Sequence, residues 1–169
     1  DAVSDHVIAL LMSLVRRLPQ QDRSVRAGIF DQNLHHPLQS FRGRTFGLVG
    51  FGHIARDVAR KLVGYRMKWL VHDPIVKPED LAALGCQSVS LDTLLTESDF
   101  VSLHCPLLPS TRHLLGEAEL RRMKTTAILI NASRGPVVVE PALIQALTEG
   151  WIAAAGLDVF EQEPLANDN

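Results

Sequence analysis

The stretch "TFGLVGFGHIARDVARKL", Thr45 to Leu62, decides the fold. A short apolar run gives way to closely spaced glycines and then to a helical pattern of small, apolar and charged residues. Gly50, Gly52 and Ala55 make G-x-G-x-x-A, after a predicted strand and at the opening of a predicted helix. The first position permits a tight turn and the second lets the backbone approach a pyrophosphate. The third needs a small residue so that the helix can close on the strand. The helix N-terminus then offers free N–H groups and a partial positive charge to phosphates. A plain strand-to-helix bend can carry the same glycines, so the decision rests on context. The next apolar run, "KWLVHD", ends in Asp73, where a carboxylate would bind an adenosine ribose. An acid there accepts from both ribose hydroxyls and repels a 2′-phosphate, which favours NAD over NADP; its other reading is a turn aspartate before Pro74.

Outward from this turn the chain is regular. Apolar runs at 45–49, 68–72, 99–103, 126–131 and 152–157 read as buried strands, with a weaker one at 87–89. Helical patterns fall between them at 53–63, 79–84, 91–96, 117–123 and 140–149. Such alternation predicts an α/β fold, a doubly wound parallel sheet with right-handed crossovers. Residues 44–160 are expected to form the dinucleotide-binding domain. Residues 20–43 read as a polar connector with one short helix.

The first residues differ in kind. In "HVIALLMSLVRRLP" (6–19), Val3, Val7, Leu10, Leu14 and Leu18 recur at helical spacing, while Ile8, Leu11, Met12 and Val15 fill the other faces. A helix over 2–18 that is apolar nearly all round calls for burial on several sides. Its expected cover is another domain or a second copy of the chain, a homodimer. The run is too short to span a bilayer, and its positive charges follow the apolar residues rather than precede them.

Composition excludes several classes. Of 169 residues, 46% are hydrophobic and 21% charged, as in an ordinary globular protein. Seventeen basic against nineteen acidic residues give a net charge of −2, which favours neither nucleic acid nor an anionic membrane. The cysteines, Cys86 and Cys105, lack the spacing of a zinc site or redox pair, which fits a cytoplasmic setting. His35 and His36 in the connector suggest solvent rather than metal, and no metal-ligand constellation stands out.

Three later segments carry a resemblance. "LHCPLLPSTRHLLG" (103–116), "ILINASRGPVVVEPALIQAL" (128–147) and "GLDVFEQEP" (156–164), with the glycine turn, resemble the D-isomer-specific 2-hydroxyacid dehydrogenases. That family includes phosphoglycerate dehydrogenases, glyoxylate/hydroxypyruvate reductases, D-lactate dehydrogenases, the related C-terminal-binding-protein corepressors and formate dehydrogenases. The first helix is also similar to the long helix that precedes the family's cofactor domain. The resemblance implies an NAD-dependent oxidoreductase acting on a small 2-hydroxy or 2-oxo acid. An NAD(H)-sensing corepressor-like protein is the alternative, and a formate dehydrogenase is disfavoured because it carries glutamine where Glu163 stands.

Arg134 makes sense on its own terms, because it follows a strand at the carboxyl edge where doubly wound sheets place ligands. Its guanidinium can grip a 2-oxo carboxylate in two places and polarise the carbonyl. The residues alone leave Glu161 and Glu163 both open as the acid that tunes a proton-donating histidine; register with the family selects Glu163. The resemblance also gives Asp158 to the nicotinamide carboxamide. Phe51, His53 and Ile54 in the turn, His104, Cys105, Pro106 and Thr111 after the strand at 99–103, and Ala132 and Ser133 beside Arg134 are expected to line the cofactor. His104 is expected to be structural rather than catalytic.

The chain departs from the family in two places. The family's catalytic histidine should follow Glu163, yet the chain has only six further residues, none of them histidine. The family's first segment should precede Asp1. The expectation is therefore a fragment: residues 1–43 come from the substrate and dimerisation region, and 161–169 begin the return to it. Ala55, in place of the commoner glycine, is minor.

Overall fold

The computed structural model describes residues 1–29 and 40–165. His35 and His36 lie outside the described residues. Six strands form one parallel sheet: β1 (Thr45–Val49), β2 (Lys68–His72), β3 (Cys86–Ser88), β4 (Phe100–Leu103), β5 (Ile128–Asn131) and β6 (Ala154–Leu157). Their order is β3-β2-β1-β4-β5-β6, so the chain winds outward from β1 in both directions. All six expected strands are present. The two predicted to begin at 126 and 152 begin two residues later, where β5–β6 pairing starts with Ile128 opposite Ala154.

The helices are α1 (Ala2–Val15), α2 (Leu18–Arg26), α3 (His53–Lys61), α4 (Pro78–Ala82), α5 (Leu91–Glu97), α6 (Glu117–Leu120) and α7 (Glu140–Thr148). One-turn 3₁₀ helices stand at Val63–Tyr65 and Gly135–Val137. Alternation along the strands divides the core in two. On one face Phe46, Leu48, Phe100, Ile128 and Ile130 meet Val58 and Ala59 of α3 and Val7, Leu11 and Val15 of α1. On the other, Val49, Val101, Leu103 and Leu129 meet Leu94 and Leu95 of α5, Leu120 of α6, and Leu143 and Ala146 of α7.

The first helix corrects two expectations. It ends at Val15, not at residue 18: Arg17 turns left-handed (φ 52°) and α2 starts anew with Pro19 in its first turn. Its buried line is Ser4, Val7, Leu11 and Val15, not the line through Leu10, Leu14 and Leu18. Along that line α1 lies on β5, β6 and α3, so much of the cover sought outside the chain is supplied within it. Ile8, Leu10, Met12 and Leu14 pack partly buried against the same core. The buried Ser4 explains the line. Its hydroxyl donates to Asp57 Oδ2 at 2.5 Å and accepts from Lys61 Nζ at 2.7 Å, so a polar group seals the α1–α3 contact.

Candidate functional site

The reversal of strand order falls between β1 and β4, and a cleft opens above their carboxyl ends. The cleft measures about 320 Å³ and is lined by residues that include Gly50, Phe51, Gly52, Asp73, His104, Cys105, Pro106 and Thr111. Gly50 takes φ 87°, and a Cβ there would stand 2.8 Å from Cys105 N and 2.9 Å from the His104 carbonyl. Both the turn and the closeness of β4 therefore exclude a side chain. A Cβ at Gly52 would meet nothing within 4 Å, so the approach to the N-terminus of α3 is open. Gly52 is the N-cap of that helix and brings no side chain to satisfy its first N–H groups. Ala55 is fully buried, as the third position of the turn requires.

Asp73 is tied to the glycine turn and also to the turn that follows it, as the second reading of this aspartate has it. Its Oδ2 accepts from Phe51 N at 2.8 Å, and Oδ1 accepts from Ile75 N at 2.8 Å and Val76 N at 3.1 Å. The residue after the second strand thus fixes the glycine turn through its carboxylate. His104 donates its backbone N–H to Val49 O at 2.7 Å. Its ring Nε2 is sealed from solvent with no partner among the described residues, and burial pushes the imidazole down to about 4. Burial pushes the neighbouring Cys105 thiol upward, with a smaller contribution from the Asp73 carboxylate, so it stays protonated near neutrality.

Arg134 and Glu163 come together elsewhere. With Gly135, Pro136, Phe160 and Glu161 they line an open hollow of about 380 Å³. A side chain on Gly135 would run into the Phe160 carbonyl, so the turn after β5 and the segment after β6 touch backbone to backbone. Glu163 Oε1 accepts from Phe160 N at 3.0 Å, while the Arg134 guanidinium donates to the Ser133 carbonyl at 2.6 Å. Ala132, Ser133, Ile54, His53 and Asp158 line neither space. Asp158 extends the β5–β6 pairing through its N–H to Asn131 O, and its Oδ1 stands 3.4 Å from His6 Nε2 of α1. The exposed His53 ring stands 3.4 Å from Asp1 Oδ2.

Two features of this site escaped the sequence reading. Asn131, buried at the end of β5, donates from Nδ2 to the Arg134 carbonyl at 3.0 Å and accepts from Ser133 N and Oγ at Oδ1. It builds the turn that presents Arg134. Its signal was available, because an amide at the end of an apolar strand must find partners. The second is the 3.0 Å contact of His113 Nε2 with Glu161 Oε1. The two residues are 48 apart in sequence, and no local pattern links them.

The family model described as D-isomer specific 2-hydroxyacid dehydrogenase, NAD binding domain, matches residues 8–169. The chain is 49% identical over 173 residues to a glyoxylate reductase of Korarchaeum cryptofilum, covering 100% of this chain and 52% of that protein. The D-lactate dehydrogenase of Aquifex aeolicus, solved with NAD and lactic acid, superposes with a TM-score of 0.91 at 39% identity, over 96% of this chain and 49% of that one. The D-lactate dehydrogenase of Lactobacillus jensenii, solved with NAD+, gives 0.87 at 36% identity, over 96% of this chain and 48% of that one. The chain spans about half the length of the curated relatives it matches. These relatives lend no support to the corepressor alternative. Among the described residues no helix is long and apolar enough to cross a membrane.

Proposed function

The chain belongs to the D-isomer-specific 2-hydroxyacid dehydrogenases and is an NAD-binding domain of that family, and from this premise we propose that it serves hydride transfer between NAD(H) and a small D-2-hydroxy or 2-oxo acid. The observation that carries the reading is the glycine turn held by Asp73 at the reversal of strand order. The open space at Gly52 and the unpartnered Nε2 of His104 both fit a bound dinucleotide. In this reading the backbone of Gly50, Phe51, Gly52, His53 and Ile54 receives the pyrophosphate, and Asp73 takes the adenosine ribose. His104, Cys105, Pro106 and Thr111 wall the adenosine side. Ala132, Ser133, Arg134 and Asp158 belong to the nicotinamide side.

The bound cofactor supplies or accepts the hydride at the 2-carbon of the acid. Arg134 binds the carboxylate of the acid and stabilises the negative charge that develops on its 2-oxygen. Glu163 tunes the histidine that donates the proton, its negative charge favouring the protonated imidazole. Residues 44–160 form the dinucleotide-binding domain in this proposal, and 1–43 and 161–169 connect it to a substrate domain. In this proposal the protein works in the cytoplasm as a homodimer, and the exposed Leu18 and Val25 of α2 are apolar surface that a second copy would cover. In a protein that joins this chain to its substrate domain, Arg134→Gln should lower kcat/KM for glyoxylate or pyruvate at least about a hundredfold, a loss far larger than any change in NADH affinity. Unchanged turnover by that variant would overturn the assignment.

A further inference from the structure

At the end of the sheet opposite the cofactor cleft, before the first residues of β1 and β2, lies a hollow of about 580 Å³ lined by Arg16, Ser40, Phe41, Arg42, Tyr65 and Arg66 among others. Three arginines border one space in a chain whose net charge is −2. Among the described residues no carboxylate stands within ion-pair distance of any of the three. The neighbouring cations differ: Arg44 and Lys124 both converge on Asp99, each at 3.1 Å.

The hollow is held together by backbone. Gly43 N donates to Arg66 O at 3.2 Å and Lys68 N to Arg44 O at 2.8 Å, so the segments carrying Arg42 and Arg66 are tied side by side. Arg16 is the C-cap of α1, which α3 and the sheet hold in place. The rings of Phe41 and Tyr65 meet edge to face at 4.9 Å, and Phe41 is anchored in turn on Phe100. Arg66 adopts φ 55°, a conformation glycine takes without strain and any residue with a Cβ takes against it. An arginine is thus kept where the backbone favours glycine, and such outliers cluster at binding sites.

We propose that this hollow binds a small phosphate-bearing anion, at a site separate from the cofactor cleft. A carboxylate is gripped by one guanidinium fork, whereas the terminal oxygens of a phosphate accept from several directions and suit three arginines. The Phe41–Tyr65 pair offers an apolar side for whatever carries the phosphate. Because its lining comes from the residue after α1 and from the segments that lead into β1 and β2, the anion would tie the end of the first helix to those segments.

The test is a titration of the chain with inorganic phosphate, then pyrophosphate, at low salt with NAD present, followed residue by residue by ¹⁵N NMR. Saturable shifts are expected at residues 40–42 and 64–66. Arg66→Gly removes one guanidinium and relieves the backbone, so the fold is retained while affinity should fall at least about tenfold. Arg42→Gln should weaken binding similarly. Shifts confined to residues 50–54, affinity in both variants unchanged from that of the unaltered chain, or preference for a glutamate-rich peptide over phosphate would each overturn the proposal.

Discussion

Asp73 holds the glycine turn, and the proposed function also gives it the adenosine ribose; the two roles separate experimentally. Its carboxylate accepts three backbone N–H groups, and bonds to a charged acceptor contribute about 1.5–3 kcal/mol each. Asp73→Ala should lower the denaturation midpoint and also narrow the preference for NADH over NADPH. Asp73→Asn keeps an acceptor and should recover stability more than selectivity. Equal or tighter NADPH binding by the unaltered chain would defeat the selectivity argument. His104 gives a second prediction. Its folded pKa, about 4, lies below the ordinary 6.5, so between those values the unfolded chain binds more protons than the folded one. Stability from this group is complete above pH 6.5 and is lost as pH falls toward 4, by on the order of 3 kcal/mol. Chemical denaturation across that range should show a slope that His104→Asn removes.

At the scale of elements, the contact of α1 with α3 is the most informative. Lys61 Nζ reaches Asp5 at 2.8 Å and Asp57 at 2.9 Å around the buried Ser4 hydroxyl. Ser4 first and Lys61 second hold the Asp57 carboxyl well below its usual range, and Asp5 and Asp57 push the Lys61 ammonium upward. The Asp57 contribution is present above the ordinary carboxylate pKa of 3.8 and is lost as pH falls beneath it. Beneath this polar seal the apolar line of α1 covers β5 and β6. Leu11→Ala should cost about 2–5 kcal/mol of unfolding free energy, the range for a buried leucine whose site does not collapse. A cost as small as that of an exposed-site substitution would mean that α1 is not part of the cooperative unit.

For the whole molecule, the prediction concerns what this chain does by itself. Gly50, Gly52 and Asp73 come from contiguous elements of one sheet, so the 169-residue chain should bind NAD(H). Turnover of glyoxylate or pyruvate should be almost absent. Glu163 is bonded to the Phe160 N–H rather than to an imidazole, and the histidine of the neighbouring segment, His113, is engaged by Glu161. General-acid catalysis contributes about 10²–10⁴-fold, and neither Glu163 nor His113 is placed to supply it among the described residues. Robust activity would instead make His113 the donor, and His113→Gln would then abolish it.

The spacing of apolar runs determined six strands, their alternation with helices and the parallel sheet, because strand and helix periods are local properties of the chain. The G-x-G-x-x-A turn was legible for the same reason, because the turn and the start of its helix are built from consecutive residues. Arg134 and Glu163 were legible only as motifs. Tertiary structure decided that they share one hollow, because that depends on Gly135 admitting the Phe160 carbonyl across two strands. It also decided which line of α1 is buried. The sequence offered apolar residues on every face, and the choice fell on the line through Ser4, since Asp57 and Lys61 of α3 satisfy its hydroxyl. The pairing of His113 with Glu161 and the gathering of Arg16, Arg42 and Arg66 have the same origin. They join residues far apart in sequence, whose proximity is set by how the sheet folds its crossovers and by no pattern along the chain.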